Sequence, residues 1–165
     1  MSFAIDKLCP VTVQDALLRA AAVAPDVEAI VAPDGRATFA MLAAKVERVR
    51  AALVAAGVQK GEHVGLCLGN GVAFETLFLA LGTLGAVTVP INTRLKAAEI
   101  AYALRQSRIT RLFTADTLLS VDFIATLREI VPGIDAALPD PAVPDLREIV
   151  VLGTDIPAGC RPWNA

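Results

Sequence analysis

The sequence is poor in the residues that do most chemistry at neutral pH. It holds one histidine, His63, and three cysteines, Cys9, Cys67 and Cys160, among 165 residues. With no G-x-S-x-G elbow and no second histidine, a nucleophile triad lacks its parts. The cysteines are odd in number and widely spaced, so they form neither a metal-type pair nor a disulfide framework. Cys67 lies in an apolar run and reads as a small core residue. This usage fits a reducing, cytoplasmic setting. Charge is sparse as well: 19% of residues are charged, the net charge is −2 and no run of Lys and Arg occurs. Nothing here would neutralise a row of phosphates, which argues against a nucleic-acid partner. The opening residues, MSFAIDKLCP, have neither the basic start nor the apolar stretch of a signal peptide.

Apolar residues are abundant, at 55%, and the mean hydropathy is +0.59. That is ample for a core and unlike a disordered composition. The longest uncharged run, 76–93, covers 18 positions, the lower limit for a membrane-spanning helix. Gly82, Gly85 and Pro90 interrupt it, and its second half is β-branched. It reads as a buried helix followed by a buried strand, not a span.

Thr12 and Asp15 make a capping-box start for a helix over about 13–24. Strands follow at 28–32 and 36–39 about a Pro-Asp-Gly turn. From Phe39 to Ala56 the spacing is helical, with Leu42, Val46, Val49 and Leu53 on one stripe and Gly57 as the stop. The pattern then predicts a strand at 63–69, a helix at 72–85, a strand at 86–91, a helix at 97–107 and a strand at 111–115. A helix over about 117–131, presenting Leu119, Phe123, Leu127 and Ile130, and a strand at 147–153 complete the series. Strands alternating with helices define an α/β chain, with a doubly wound, mostly parallel sheet and flanking helices. The stretch 132–145, with four prolines and three aspartates, is expected to be a surface excursion, and 154–165 a flexible tail. Helix 72–85 is apolar almost all round, so self-association of the chain through an uncovered patch is expected.

Few residues stand out for chemistry. GLCLGNG (65–71) straddles a strand-to-helix turn, but its G-x-x-x-G-x-G spacing matches neither the dinucleotide fingerprint nor a phosphate-binding loop, and no lysine follows. A tight turn accounts for it. His63 has no cysteine or carboxylate at ligand spacing and reads as a strand-edge residue. Glu28, Glu62, Glu75 and Glu99 show no catalytic pairing. Arg94 differs: it stands just past the carboxyl end of a strand, where alternating α/β folds collect ligands. A solvated loop arginine is the other reading of the same position.

The order of segments from about Thr12 to Asp116 resembles the N-terminal portion of adenylate-forming enzymes, the AMP-dependent synthetase/ligase and acyl-CoA synthetase superfamily. The resemblance rests on ATFAMLAAKVERVRAAL (37–53) and on GVQKGEHVGLCLGNGVAFETLFLALGTLGAVTVPINTRLKAAEIAYALRQS (57–107). The segment INTRL (91–95) is closer to acyl- and aryl-CoA ligases than to peptide-synthetase adenylation domains, which usually have an aspartate near Asn92. Two departures are local: His63 stands where the family usually has arginine, and Lys96 where a capping Thr or Ser is common.

The resemblance implies a part of an enzyme that joins a small-molecule carboxylate to ATP, with Mg2+, as an acyl-adenylate and then forms a thioester with CoA, in fatty-acid or aromatic-acid metabolism. The family's Ser/Thr/Gly-rich phosphate loop and later acidic and arginine motifs do not occur. Residues 1–165 are therefore expected to be an N-terminal fragment of the AMP-binding domain, inactive alone, with no cofactor bound to it and no catalytic residue of its own. By resemblance Arg94 is the candidate for the CoA nucleotide phosphate, with Lys96 adding positive potential. A non-catalytic doubly wound module that docks a partner is the alternative.

Overall fold

The computed structural model describes residues 12–163; Cys9 lies outside them. Helix α1 (Val13–Val23) begins at the expected capping box, in which the Thr12 hydroxyl accepts from the Asp15 amide at 3.1 Å and the Asp15 carboxylate accepts from the Thr12 amide at 3.1 Å. Strands β1 (Glu28–Ala32) and β2 (Gly35–Thr38) form an antiparallel hairpin. Helix α2 (Phe39–Ala55) buries Leu42, Val46, Val49 and Leu53, the stripe read from the sequence. Gly57, at φ 79°, ends it, and Val58 N reaches back to Leu53 O at 3.0 Å. That left-handed turn is the usual glycine-dependent helix stop.

The main sheet is built by β3 (His63–Cys67), β4 (Val87–Pro90), β5 (Arg111–Ala115), β8 (Glu148–Leu152) and β9 (Arg161–Pro162), in the order β4-β3-β5-β8-β9 and parallel throughout. Helices α3 (Val72–Leu84), α4 (Ala97–Gln106) and α5 (Phe123–Ile130) make the crossovers. Alternation along each strand sends side chains to two cores. Val64, Leu66, Phe113 and Val150 join Leu17 and the α2 and α3 stripes on one face. Leu112, Ile149 and Val151 join Ile100, Leu104, Phe123 and Leu127 on the other. The result is the expected α/β layered architecture. Among the described residues, no helix is long and apolar enough to cross a membrane.

Three stretches differ from their sequence reading. Helix α5 starts at Phe123, not near 117, because the Asp122 carboxylate caps it by accepting from Ala125 N at 2.8 Å. Residues ahead of it form the small hairpin β6 (Thr117–Leu118) and β7 (Val121–Asp122). Leu119, expected on the helix stripe, sits at the hairpin tip with φ 55° and is 98% exposed. The excursion 132–145 sends Ile134 and Val143 into the core, and Asp140 ties it by accepting from Gly133 N and Ala142 N, each at 2.8 Å. Over 154–163, expected as a loose tail, the chain adds β9 to the sheet. Trp163 N donates to Val151 O at 2.9 Å, and its indole meets the Phe113 ring edge-on at 5.5 Å. Local pattern carries no sign of this pairing, because β9 is two residues long.

The amino edge of the sheet is closed by ions. Arg111 contacts Glu148, lies 3.5 Å from Glu62 and donates to Ala56 O, the carboxyl end of α2, at 3.1 Å. Arg161 reaches the same Glu148 at 3.0 Å. The Arg111, Glu62 and Glu148 side chains are only 12–15% exposed, so removing the shared cation leaves Glu62 without its ion pair and Glu148 with only the exposed Arg161. Arg111→Met should destabilise the chain by about 3 kcal/mol, the low end for a broken buried pair. Urea unfolding monitored by Trp163 fluorescence measures this, and Arg111→Lys should recover only part of the loss.

Candidate functional site

Strands β4 and β5 flank β3 on opposite sides. The β3-to-β4 and β5-to-β8 connections thus leave the neighbouring strands β3 and β5 in opposite directions, and such a reversal opens a crevice at the carboxyl ends of the strands. A cleft of about 580 Å³ lies there. Its walls are Leu68 to Asn70 after β3, Pro90 at the end of β4 with Ile91 to Arg94 after it, Phe74 of α3, and Leu118 with Leu119 of the small hairpin.

The β4 wall follows from local sequence. Ile91 N makes the last bond back to β3, to Leu66 O at 2.9 Å. The chain then turns on Asn92, whose Oδ1 accepts from Arg94 N at 2.9 Å while its carbonyl accepts from Leu95 N at 3.1 Å. This is an Asx turn. It places Arg94 in the cleft, exposed and the sole charged residue of the lining among the described residues. No ion pair or side-chain hydrogen bond engages its guanidinium among the described residues. Lys96 is exposed too, but stands outside the cleft lining at the start of α4, where Glu99 accepts from its backbone amide at 2.9 Å. A lysine offers no acceptor in return, so half of the cap is missing.

The glycine turn at 65–71 is not a phosphate cradle. The first amides of α3, on Val72 and Ala73, donate to the Asp34 carboxylate at 3.0 and 3.2 Å. The chain's own anion fills the place where a helix N-terminus would hold a phosphate. Gly71 is needed because a Cβ there would come within 2.5 Å of Asp34.

His63 belongs to the opposite, amino end of β3, half-buried, with Nδ1 2.6 Å from Ser107 O. Burial pushes the Cys67 thiol up to about 11, against a smaller opposing hydrogen bond with Thr114. Burial, with Asp135 nearby, likewise pushes Cys160 up to about 11. Neither supplies a thiolate at neutral pH. No group of three or more potential metal ligands gathers among the described residues.

Sequence reasoning passed over Asp116, which sets the hairpin wall of the cleft. Its carboxylate accepts from Thr154 N at 2.7 Å, from Asp155 N at 3.3 Å and from Thr117 N, tying β5 to the end of β8. The partners lie 38 and 39 residues away, beyond any local pattern. Gly153 permits the approach, since a Cβ there would lie 2.0 Å from the Asp116 carboxyl carbon.

The sequence matches the AMP-binding enzyme family over residues 17–155, and the chain belongs to that family. Over 93 residues it is 43% identical to the long-chain-fatty-acid–CoA ligase FadD13 of Mycobacterium tuberculosis, covering 55% of this chain and 18% of that protein. Over 139 residues it is 27% identical to the mitochondrial medium-chain acyl-CoA ligase ACSF2 of Homo sapiens, covering 81% and 23%. Its fold is similar to the anthranilate CoA ligase AuaEII solved with anthranoyl-AMP, at TM-score 0.74 and 30% identity over 92% of this chain and 27% of that one. The N-terminal domain of FACL13 from Mycobacterium tuberculosis is similar at TM-score 0.66 and 31% identity, over 87% and 33%. The chain spans only 18% to 23% of these two curated relatives. The resemblance to the N-terminal portion of acyl- and aryl-CoA ligases therefore holds in both sequence and fold.

Amide donors hold the Asp116 carboxyl below its ordinary value of 3.8, that of Thr154 contributing most. A depressed folded value means that the stabilisation is complete above the unfolded pKa and is lost as pH falls through the folded one. Asp116→Asn should therefore lower stability at pH 7 and flatten the loss of stability below about pH 4, where wild type is already protonating. Urea midpoints collected between pH 7 and pH 2 test it; parallel curves for the two proteins would refute it.

Proposed function

We propose that this chain forms the N-terminal part of an ATP-dependent acyl- or aryl-CoA ligase. In that reaction a carboxylate attacks the α-phosphorus of ATP, releasing pyrophosphate and leaving an acyl-adenylate; the CoA thiol then displaces AMP to give the thioester. ATP, Mg2+ and CoA are the parent enzyme's cofactors, a small carboxylic acid its substrate, and the cytoplasm its setting. The observation that carries the reading is the carboxyl-edge cleft with one unengaged guanidinium. Family membership and the ligase names of the relatives support it.

Within this division of labour the described residues build the scaffold and one anchor point. They do not fit ATP: the α3 amides are occupied by Asp34, no lysine follows the glycine turn, and no cluster of three or more potential metal ligands forms among them. Electrostatic stabilisation of a transferring adenylyl group needs donors that this chain does not supply. Isothermal titration of the 165-residue chain with ATP and Mg2+ should give no saturable heat. Micromolar binding would overturn that assignment. The coding frame after Ala165 separates the ligase from a free-standing docking module: a Ser/Thr/Gly-rich loop ending in lysine belongs to the first, a stop codon to the second.

Arg94 is the anchor, through its fork of donors to the 3′-phosphate of CoA. Arg94→Ala in the ligase removes a charge-assisted hydrogen bond worth about 1.5–3 kcal/mol. Exposure at the cleft mouth favours the low end, so affinity for CoA should fall roughly 10-fold. Dephospho-CoA lacks the contact, and the variant should barely distinguish the two thiols. A variant that still discriminates as wild type does would return Arg94 to the solvated loop residues.

A further inference from the structure

The chain chooses its turn-forming side chains unevenly. Wherever else among the described residues an Asx-type side chain secures backbone amides, that residue is an aspartate. Asp15 serves Thr12, Asp34 serves Val72 and Ala73, and Asp122 serves Ala125. Asp116 and Asp140 do the same across loops. The carboxyl-edge cleft is the exception. The sequence has three asparagines, Asn70, Asn92 and Asn164, and the two within the described residues, Asn70 and Asn92, both line this cleft. Among the described residues, neither Asp nor Glu lines it.

Backbone geometry does not demand the amide. The Asn92 Oδ1 accepts from Arg94 N at 2.9 Å, and an aspartate oxygen makes the same Asx turn equally well. What the carboxamide changes is charge. A carboxylate at 92 would place a negative charge two residues from the guanidinium, offering it an internal partner and repelling an incoming phosphate. Resting on the CoA reading of Arg94, we infer that Asn92 is a positioning and specificity residue. It aims the Arg94 backbone with a neutral acceptor, which keeps the cleft open to an anionic ligand. Asn70, on the β3 wall, extends the neutral lining without serving the Arg94 turn.

Two substitutions separate the turn from the charge. In the ligase, Asn92→Asp keeps the acceptor and adds the charge. It should weaken CoA by roughly three- to ten-fold, as expected for one added like charge at side-chain separation in a solvated cleft. Dephospho-CoA should be affected much less, so discrimination shrinks. Added salt should narrow the gap between Asn92→Asp and wild type, since the Debye length shrinks from about 10 Å at 0.1 M to about 3 Å at 1 M. Asn92→Ala keeps neutrality and loses the turn; its weakening should not depend on salt. Asn70→Asp should reproduce the salt-sensitive loss on a smaller scale.

The outcomes are distinct. If Arg94→Ala fails to reduce discrimination between CoA and dephospho-CoA, the CoA reading falls and this inference falls with it. If Arg94→Ala reduces it but Asn92→Asp leaves it intact, or weakens both thiols equally without salt dependence, the charge role of Asn92 alone is overturned.

Discussion

Strand β3 is buried on both faces, and the rest of the architecture answers to that. Val64 and Leu66 face α1, α2 and α3, while Gly65 and Cys67 face the layer built by α4 and α5. A parallel sheet needs cover on both sides, because each return to the next strand requires a crossover long enough to lie on a face. Val64 and Leu66 retain no exposed surface, and burial of such side chains contributes about 1.5–3 kcal/mol each. Gly65 has little room to change, since an added Cβ would meet Leu112 and Ile109 at 3.0 and 3.1 Å. With β4 and β5 seated on either side of this strand, the cleft at its carboxyl end follows from topology.

The two ends of the sheet use charge in opposite ways. At the amino end, Arg111 and Arg161 share Glu148, and Glu62 completes the cluster. These two cations are consumed internally and serve the fold. At the carboxyl end, carboxylates are spent on backbone amides: Asp34 on α3, Asp116 on the β8 turn. These anions hold the rim without meeting Arg94, so the guanidinium has no ionic partner among the described residues. The same carboxyl edge that other α/β folds use for a phosphate on a helix N-terminus is here closed at α3 and open at the β4 turn.

Most of the fold was legible because its signals are local. The capping box at Thr12, the α2 stripe, the glycine stop at 57 and the strands at 63–67 and 111–115 each depend on spacing within a few residues. Arg94 was legible for a related reason: a strand end followed by a helix start locates the carboxyl edge before any packing is known. Misreadings cluster where local and distant preferences compete. Leu119 fits a helical period with Phe123 and Leu127, yet the Asp122 cap and the long-range bonds of Asp116 turn it outward.

Sequence by itself determined the alternation of elements, the apolar faces, and the absence of a phosphate loop or triad, since these are properties of residue type and spacing. Tertiary structure decided which unpaired side chains share a space. It brought Asn70, Phe74, Arg94 and Leu118 around one cleft and left Lys96 outside the lining. It delivered Asp34 across 38 residues to the first amide of α3 and seated Trp163 against Phe113. Those contacts depend on strand order, and strand order emerges only when both faces of β3 are covered.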